Sequence, residues 1–130
     1  MREIKFKLWH KGFKKFFTTN YSDQISMMPD GNIFWMGECE TDNFTLLQYT
    51  GLKDINGKDI YEGDLLQHPN GTIAEIKYSD DLAAFVAVYT QNGNTEMDFL
   101  DKEIVNECEI VGNIYENPEL LEVEGEWRKQ

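Results

Sequence analysis

Hydrophobic and polar residues alternate with period two along most of the chain, the pattern of strands that bury one face. Ile4, Phe6 and Leu8 alternate with Lys5 and Lys7, which predicts a half-buried strand ending at His10-Lys11-Gly12. A short second stretch runs from Phe13 to Thr18. Gln24 to Met28 and Asn32 to Met36 flank Pro29-Asp30-Gly31, where proline presets a turn and glycine supplies a positive φ. Phe44 to Thr50 reads as a strand stopped by Gly51, and Asn56-Gly57 in the polar segment 53–59 suits a tight reversal.

From there the punctuation becomes regular. Leu65 and Leu66 form a short strand before His68-Pro69-Asn70-Gly71. Thr72 to Tyr78 alternates until Ser79-Asp80-Asp81 breaks it, and Leu82 to Tyr89 is the most apolar strand. A Gln91-Asn92-Gly93-Asn94 hairpin returns the chain along Thr95 to Leu100, and Glu109 to Tyr115 makes the last strand. Strands every 8–12 residues or so, with Gly/Asn turns between them, predict a small barrel or sandwich. One helical stretch is expected, at 117–122, where Pro118 suits the first turn. Residues 123–130 read as a short charged tail.

At 130 residues the chain has the size of one domain, or of two very small ones. Its mean hydropathy of −0.54, with no long uncharged apolar run, argues against a membrane span. Twelve bases face 24 acids, a net charge of −12, and the imbalance is uneven. Residues 1–15 hold six bases (Arg2, Lys5, Lys7, Lys11, Lys14, Lys15) against Glu3, a net of +5; the other 115 hold six bases and 23 acids, a net of −17. So acidic a surface repels phosphates, because nucleic-acid binding draws on cations that displace counterions. It either steers a basic partner or keeps the protein soluble. The basic start, alternating with apolar residues, reads as the solvent face of a strand.

Reactive chemistry is sparse. Cys39 and Cys108 are isolated, and no apolar leader follows Met1, so reduced thiols in the cytoplasm are expected. His10, Cys39, His68 and Cys108 lack the short spacing of a zinc site. Asp54–Asp59 resembles a calcium loop only superficially, with its glycine misplaced and Leu65 where the closing glutamate belongs. Ser22, Ser26 and Ser79 stand outside any nucleophile-elbow pattern, and nothing local supports a Cys108–His68 dyad. Acid pairs such as Glu38 and Glu40 arise by chance in so acidic a chain. No phosphate-binding glycine loop occurs. No catalytic residue, cofactor site or metal site is expected.

Three segments stand out together: Ile4–Trp9; Gln48-Tyr49-Thr50-Gly51-Leu52-Lys53-Asp54 running on to Asn56-Gly57-Lys58-Asp59-Ile60-Tyr61-Glu62-Gly63-Asp64; and Gly112-Asn113-Ile114-Tyr115-Glu116-Asn117-Pro118-Glu119-Leu120-Leu121. In this order and spacing the chain resembles the YopX family, small phage and prophage proteins of Gram-positive and related bacteria, over roughly residues 2–122. The position after Trp9, commonly acidic in that family, is His10, and residues 10–45 match little beyond their length. The resemblance implies an all-β protein whose second part is an SH3-like barrel with a short terminal helix, and which forms oligomers. It implies no enzymatic activity and carries over no active-site residue. Residues 1–61 are then an N-terminal β region and 62–122 the barrel.

The signature residues read as structural: Trp9, Tyr49 and Tyr61 as packing groups, and Gly51, Gly57, Gly63, Asp64, Gly112, Asn113, Tyr115 and Pro118 as turn and corner residues. Gly112 is expected at a bulge or a close backbone approach. Trp35, Tyr78 and Tyr89, beside Asp80 and Asp81, are the candidate interaction surface. The functional expectation is a non-enzymatic phage or prophage accessory protein whose acidic face contacts a basic host or phage protein. The alternatives are a nucleic-acid binder using the lysines of the N-terminal stretch, and a homo-oligomeric structural subunit joined at strand edges.

Overall fold

The computed structural model describes residues 3–17, 25–91 and 93–121. Thr18, Gln24, Asn92, Glu122 and the tail, each part of an expectation above, lie outside the described residues. Strand dominates and helix is minor, so the chain is mainly β. It divides into two compact units, residues 1–49 and 50–130.

In the first unit β1 (Phe6–His10) and β2 (Lys15–Phe17) form a hairpin, with Trp9 opposite Phe16. β3 (Ile25–Met27), β4 (Ile33–Trp35) and β5 (Glu38–Cys39) make a small antiparallel sheet. β6 (Phe44–Lys53) runs antiparallel to β1, pairing Leu8 with Leu46 and His10 with Phe44. The alternation in these strands supplies the core: Leu8, Phe17, Ile25, Ile33 and Phe44, with Trp35 and Met27 packed on them. His10 is buried with it. Its ring stacks on Phe13 at 4.5 Å and meets Phe44 edge-on at 4.9 Å, while its Nδ1 accepts the Phe13 N–H.

β6 does not stop at Gly51. That residue takes a φ of +90°, and the strand continues to Lys53 inside the second unit. There β7 (Asp59–Tyr61) neighbours β6. The chain then builds a five-stranded antiparallel sheet from β8 (Asp64–Gln67), β9 (Ile73–Ser79), β10 (Ala84–Gln91), β11 (Asn94–Phe99) and β12 (Glu109–Asn113), ordered β11-β10-β9-β8-β12. A one-turn helix, α1 (Lys102–Val105), stands between the last two strands and was not anticipated. Its signal is the Asp101 carboxylate, which accepts the Glu103 N–H as an N-cap ahead of Ile104 and Val105.

Several boundaries differ from the periodicity: Ile4 lies outside β1 and is exposed, Phe13 sits in the turn before β2, where Lys14 takes a φ of +53°, and Met36 leaves β4 with a φ of +54°. Leu82 belongs to a turn, because Ala83 takes a φ of +52° and the Ser79 hydroxyl accepts the Leu82 N–H. β12 ends at Asn113, whose Oδ1 accepts the N–H groups of Tyr115 and Glu116 and so curls the chain. A register shift between Ile110 and Gly112 is a β-bulge. A Cβ on Gly112 would stand 2.6 Å from the Asn117 side chain, so the close approach is present as well. The helical stretch begins after Pro118 and is seen over residues 119–121.

Three hairpin turns are one design. In Met28–Asn32, Asp54–Lys58 and His68–Thr72 the first N–H bonds to the last carbonyl, and a positive-φ glycine in fourth place donates back to the first carbonyl. Only the middle turn opens with a carboxylate, and that carboxylate reaches far. Buried Asp54 accepts from Asn56 N and Lys58 N at 2.9 Å each through Oδ1, and from Ile110 N at 3.0 Å through Oδ2. Beside it, Ile55 N donates to the Cys108 carbonyl at 2.9 Å. The turn is thus fastened to the entry of β12. Burial alone would raise the Asp54 pKa, but the three N–H donors and Lys58 outweigh it and the net shift is downward.

Asp54→Ala removes a charged acceptor from three donors, and we expect the urea-unfolding free energy to fall by about 3 kcal/mol. The depressed pKa makes the contribution of Asp54 complete above its unfolded value, near 3.9, and lost as pH falls through its lower folded value. Wild type should therefore lose its urea-midpoint advantage over Asp54→Asn as the pH is lowered below about 4. An advantage that persists unchanged at lower pH contradicts this.

Candidate functional site

One face of the five-stranded sheet forms the core of the second unit. Cross-strand pairs put Leu66 beside Ala74 and Ile110, and Ile76 beside Ala87, all on that face. Ile60, Val105 and Cys108 close over it, with Leu52 and Leu100 at the margins. The closure is incomplete. Ala74 and Ala87 floor a cavity of about 250 Å³ that opens between the sheet, Leu100 and α1.

The walls of the cavity are apolar and its mouth is polar. His68, Thr72, Gln91, Tyr89, Asp98 and Asp101 line the mouth, and neither Lys nor Arg does so among the described residues. The Tyr89 hydroxyl donates to Asp98 Oδ2 at 2.7 Å across the β10–β11 pair. That hydrogen bond to the carboxylate raises the phenol pKa, with burial and the charges of Asp98 and Glu96 adding to it. A second, more open depression of about 520 Å³ adjoins at His68 and carries Glu107 and Glu109.

Cys108 and His68 both line the cavity, but neither is prepared for nucleophilic work. The Cys108 Sγ donates to the Ile104 carbonyl at 3.4 Å, and burial, aided by Glu107, raises its pKa, which favours the thiol over the thiolate. His68 Nδ1 accepts the Asn70 N–H at 3.1 Å, serving its own turn. Cys39 is exposed, 3.4 Å from the Thr41 hydroxyl. Among the described residues no three His, Cys, Asp or Glu side chains gather as a metal-binding group.

The five candidate surface residues separate. Trp35 is half-buried among Phe17, Phe44 and His10 in the first unit. Tyr78 and Tyr89 share one face of the second unit's sheet but sit toward opposite ends, Tyr78 against Phe85 and next to the exposed turn of Asp80 and Asp81. Only Tyr89 reaches the cavity. Asp98, Leu100, Asp101 and Ile104 line it too and escaped the sequence reading, although Asp101 as a helix cap was a usable sign.

The signature residues do local work. Trp9, Tyr49 and Tyr61 are buried, and Asp64 Oδ2 accepts the Tyr61 N–H at 2.8 Å. Gly63 has a φ of +88°, and a Cβ there would stand 2.8 Å from the Tyr115 ring. Burial raises the Tyr115 pKa, with Glu62 and Glu75 contributing, and burial also raises that of Glu75.

The profile of the YopX family, described as YopX protein, matches residues 5–122, and the chain belongs to that family. Among solved structures, the crystal structure of protein EF1440 from Enterococcus faecalis is similar, with a TM-score of 0.56 and 26% identity; the match covers 93% of this chain and 99% of that one. No curated protein matches the chain.

Asp98→Ala leaves the Tyr89 hydroxyl without its acceptor and without the nearest negative charge. The Tyr89 phenol, followed by the NMR shift of its ζ-carbon, should then titrate at a lower pH than in the wild type. An unchanged titration would show that the 2.7 Å bond does not form in solution.

Proposed function

We propose that the chain is a non-enzymatic phage or prophage accessory protein of the bacterial cytoplasm, and that it binds another protein through the cavity of its second unit. The observation that carries this reading is the cavity itself, apolar within and acidic at the mouth. At about 250 Å³ it lies below the roughly 300–1,000 Å³ of sites for cofactors and drug-sized ligands. That volume suits one or two protruding side chains. Burying one of Leu size contributes about 2 kcal/mol, enough to anchor a peptide that has further contacts.

We read the second unit as an SH3-like barrel. A four-strand meander, one helical turn and a fifth strand returning beside the first support that reading. The basic N-terminal stretch favours protein over nucleic acid as the partner, because several of its lysines are engaged locally. Lys5 lies 3.3 Å from Glu3 and 4.8 Å from the Tyr49 ring centre, Lys7 lies over Phe16, and Lys11 donates to the Asp42 carbonyl.

A random nine-residue peptide library panned on the protein tests the proposal. Peptides bearing a large apolar residue should be enriched. Ala87→Phe and Ala74→Phe, which fill the cavity from neighbouring strands, should weaken their binding at least about tenfold, with thermal melts reporting that each variant folds. A protein that enriches no peptide yet shifts a labelled oligonucleotide at low salt overturns the proposal.

A further inference from the structure

The cavity opens beside a strand edge. β11 ends the five-stranded sheet, pairing with β10 on one side and with no strand on the other among the described residues. All six of its residues are exposed, including Met97 at 51% and Phe99 at 63%, and Ile104 of α1 is exposed nearby at 52%. In an antiparallel ladder each residue's N–H and C=O point to the same side, and successive residues alternate. About half the backbone polar groups of β11 therefore face outward, where no strand among the described residues pairs with them. An open edge that carries large apolar groups is a template for one more strand.

Charge chooses the strand. Residues 94–104 hold Glu96, Asp98, Asp101 and Glu103 against Lys102 alone. Two copies of β11 laid edge to edge would bring carboxylates together across the seam, which disfavours self-pairing. A segment with Lys or Arg at alternate positions would set them against Glu96 and Asp98.

We infer that β11 accepts an extended basic segment of a partner protein as a sixth strand, with one apolar side chain of that segment entering the cavity between Leu100 and α1. This rests on the proposal above and adds the binding mode and the partner's chemistry.

The test uses the peptides enriched on the full-length protein. They should carry Lys or Arg at alternate positions with a large apolar residue on that same face, because Glu96, Asp98 and the cavity lie on one face of the sheet, and at saturation they should slow amide hydrogen exchange at alternate residues of β11. Backbone N-methylation of the odd or of the even positions should weaken binding about tenfold in one phase and little in the other, since only one edge of the peptide pairs. Glu96→Lys with Asp98→Lys, both on the surface, should weaken it by at least about tenfold.

Peptides that lose affinity in Ala87→Phe but leave β11 exchange unchanged, and bind equally when methylated in either phase, overturn strand addition and leave the cavity reading standing. If no peptide is enriched, both fall. Indifference to the charge reversal removes the basic segment. Sedimentation showing a dimer, with β11 amides protected before any peptide is added, replaces it with a second copy of the chain.

Discussion

The Asp54 carboxylate ties together parts of the second unit that lie far apart in sequence. Two of its three N–H partners lie in its own turn, and the third, Ile110, is 56 residues on. Closing so long a loop has an entropic cost, and a side chain that satisfies local and distant donors at once offsets part of it. The bond from Ile55 N to the Cys108 carbonyl lies alongside, so the end of α1 and the start of β12 are gripped together. Every group that roofs the cavity, from Leu100 to Cys108, hangs between that clamp and the edge strand β11.

This explains why the signature stretches bend and brace the chain. Gly57 lets the Asp54 turn close, Asp64 secures Tyr61, and Asn113 curls the chain so that Tyr115 lies over Gly63. A side chain at Gly63 would meet both an unfavourable φ and the Tyr115 ring. Such positions tolerate few residues for reasons of backbone geometry alone, and a family profile would register them with no ligand involved.

Much of the strand pattern was legible because burial of one face imposes alternation, and the Pro-Asp-Gly, Asn-Gly and Pro-Asn-Gly turns mark their own positions. What was not legible is tertiary. Whether Gly51 stops a strand or sits within it depends on partners the local sequence does not name, and here pairing carries β6 onward to Lys53. The one-turn α1 is too short for a helical stripe, leaving only its Asp101 cap as a sign. Trp35 and Tyr89 are both aromatic residues on strands, yet one packs against the first unit's core and the other edges a cavity. The candidate site was half-legible for the same reason. Acidity and Tyr89 could be read, but the meeting of β10, β11 and α1 could not.

The cavity is floored by small residues on neighbouring strands. Ala74 and Ala87 lie on adjacent strands beneath α1, where Val or Leu would complete the core. Each methylene missing from a core costs roughly 1 kcal/mol, so space kept here is space maintained against stability. Met97, Phe99 and Ile104, left exposed beside it, are a second departure from what stability and solubility favour. The carboxylates of Glu96 and Asp98 alternate with Met97 and Phe99 along β11. They keep like edges apart while leaving the edge open to a strand of opposite charge. An unfilled core, an exposed apolar border and an acidic edge thus meet at one place, and a single basic strand laid against β11 would complete all three.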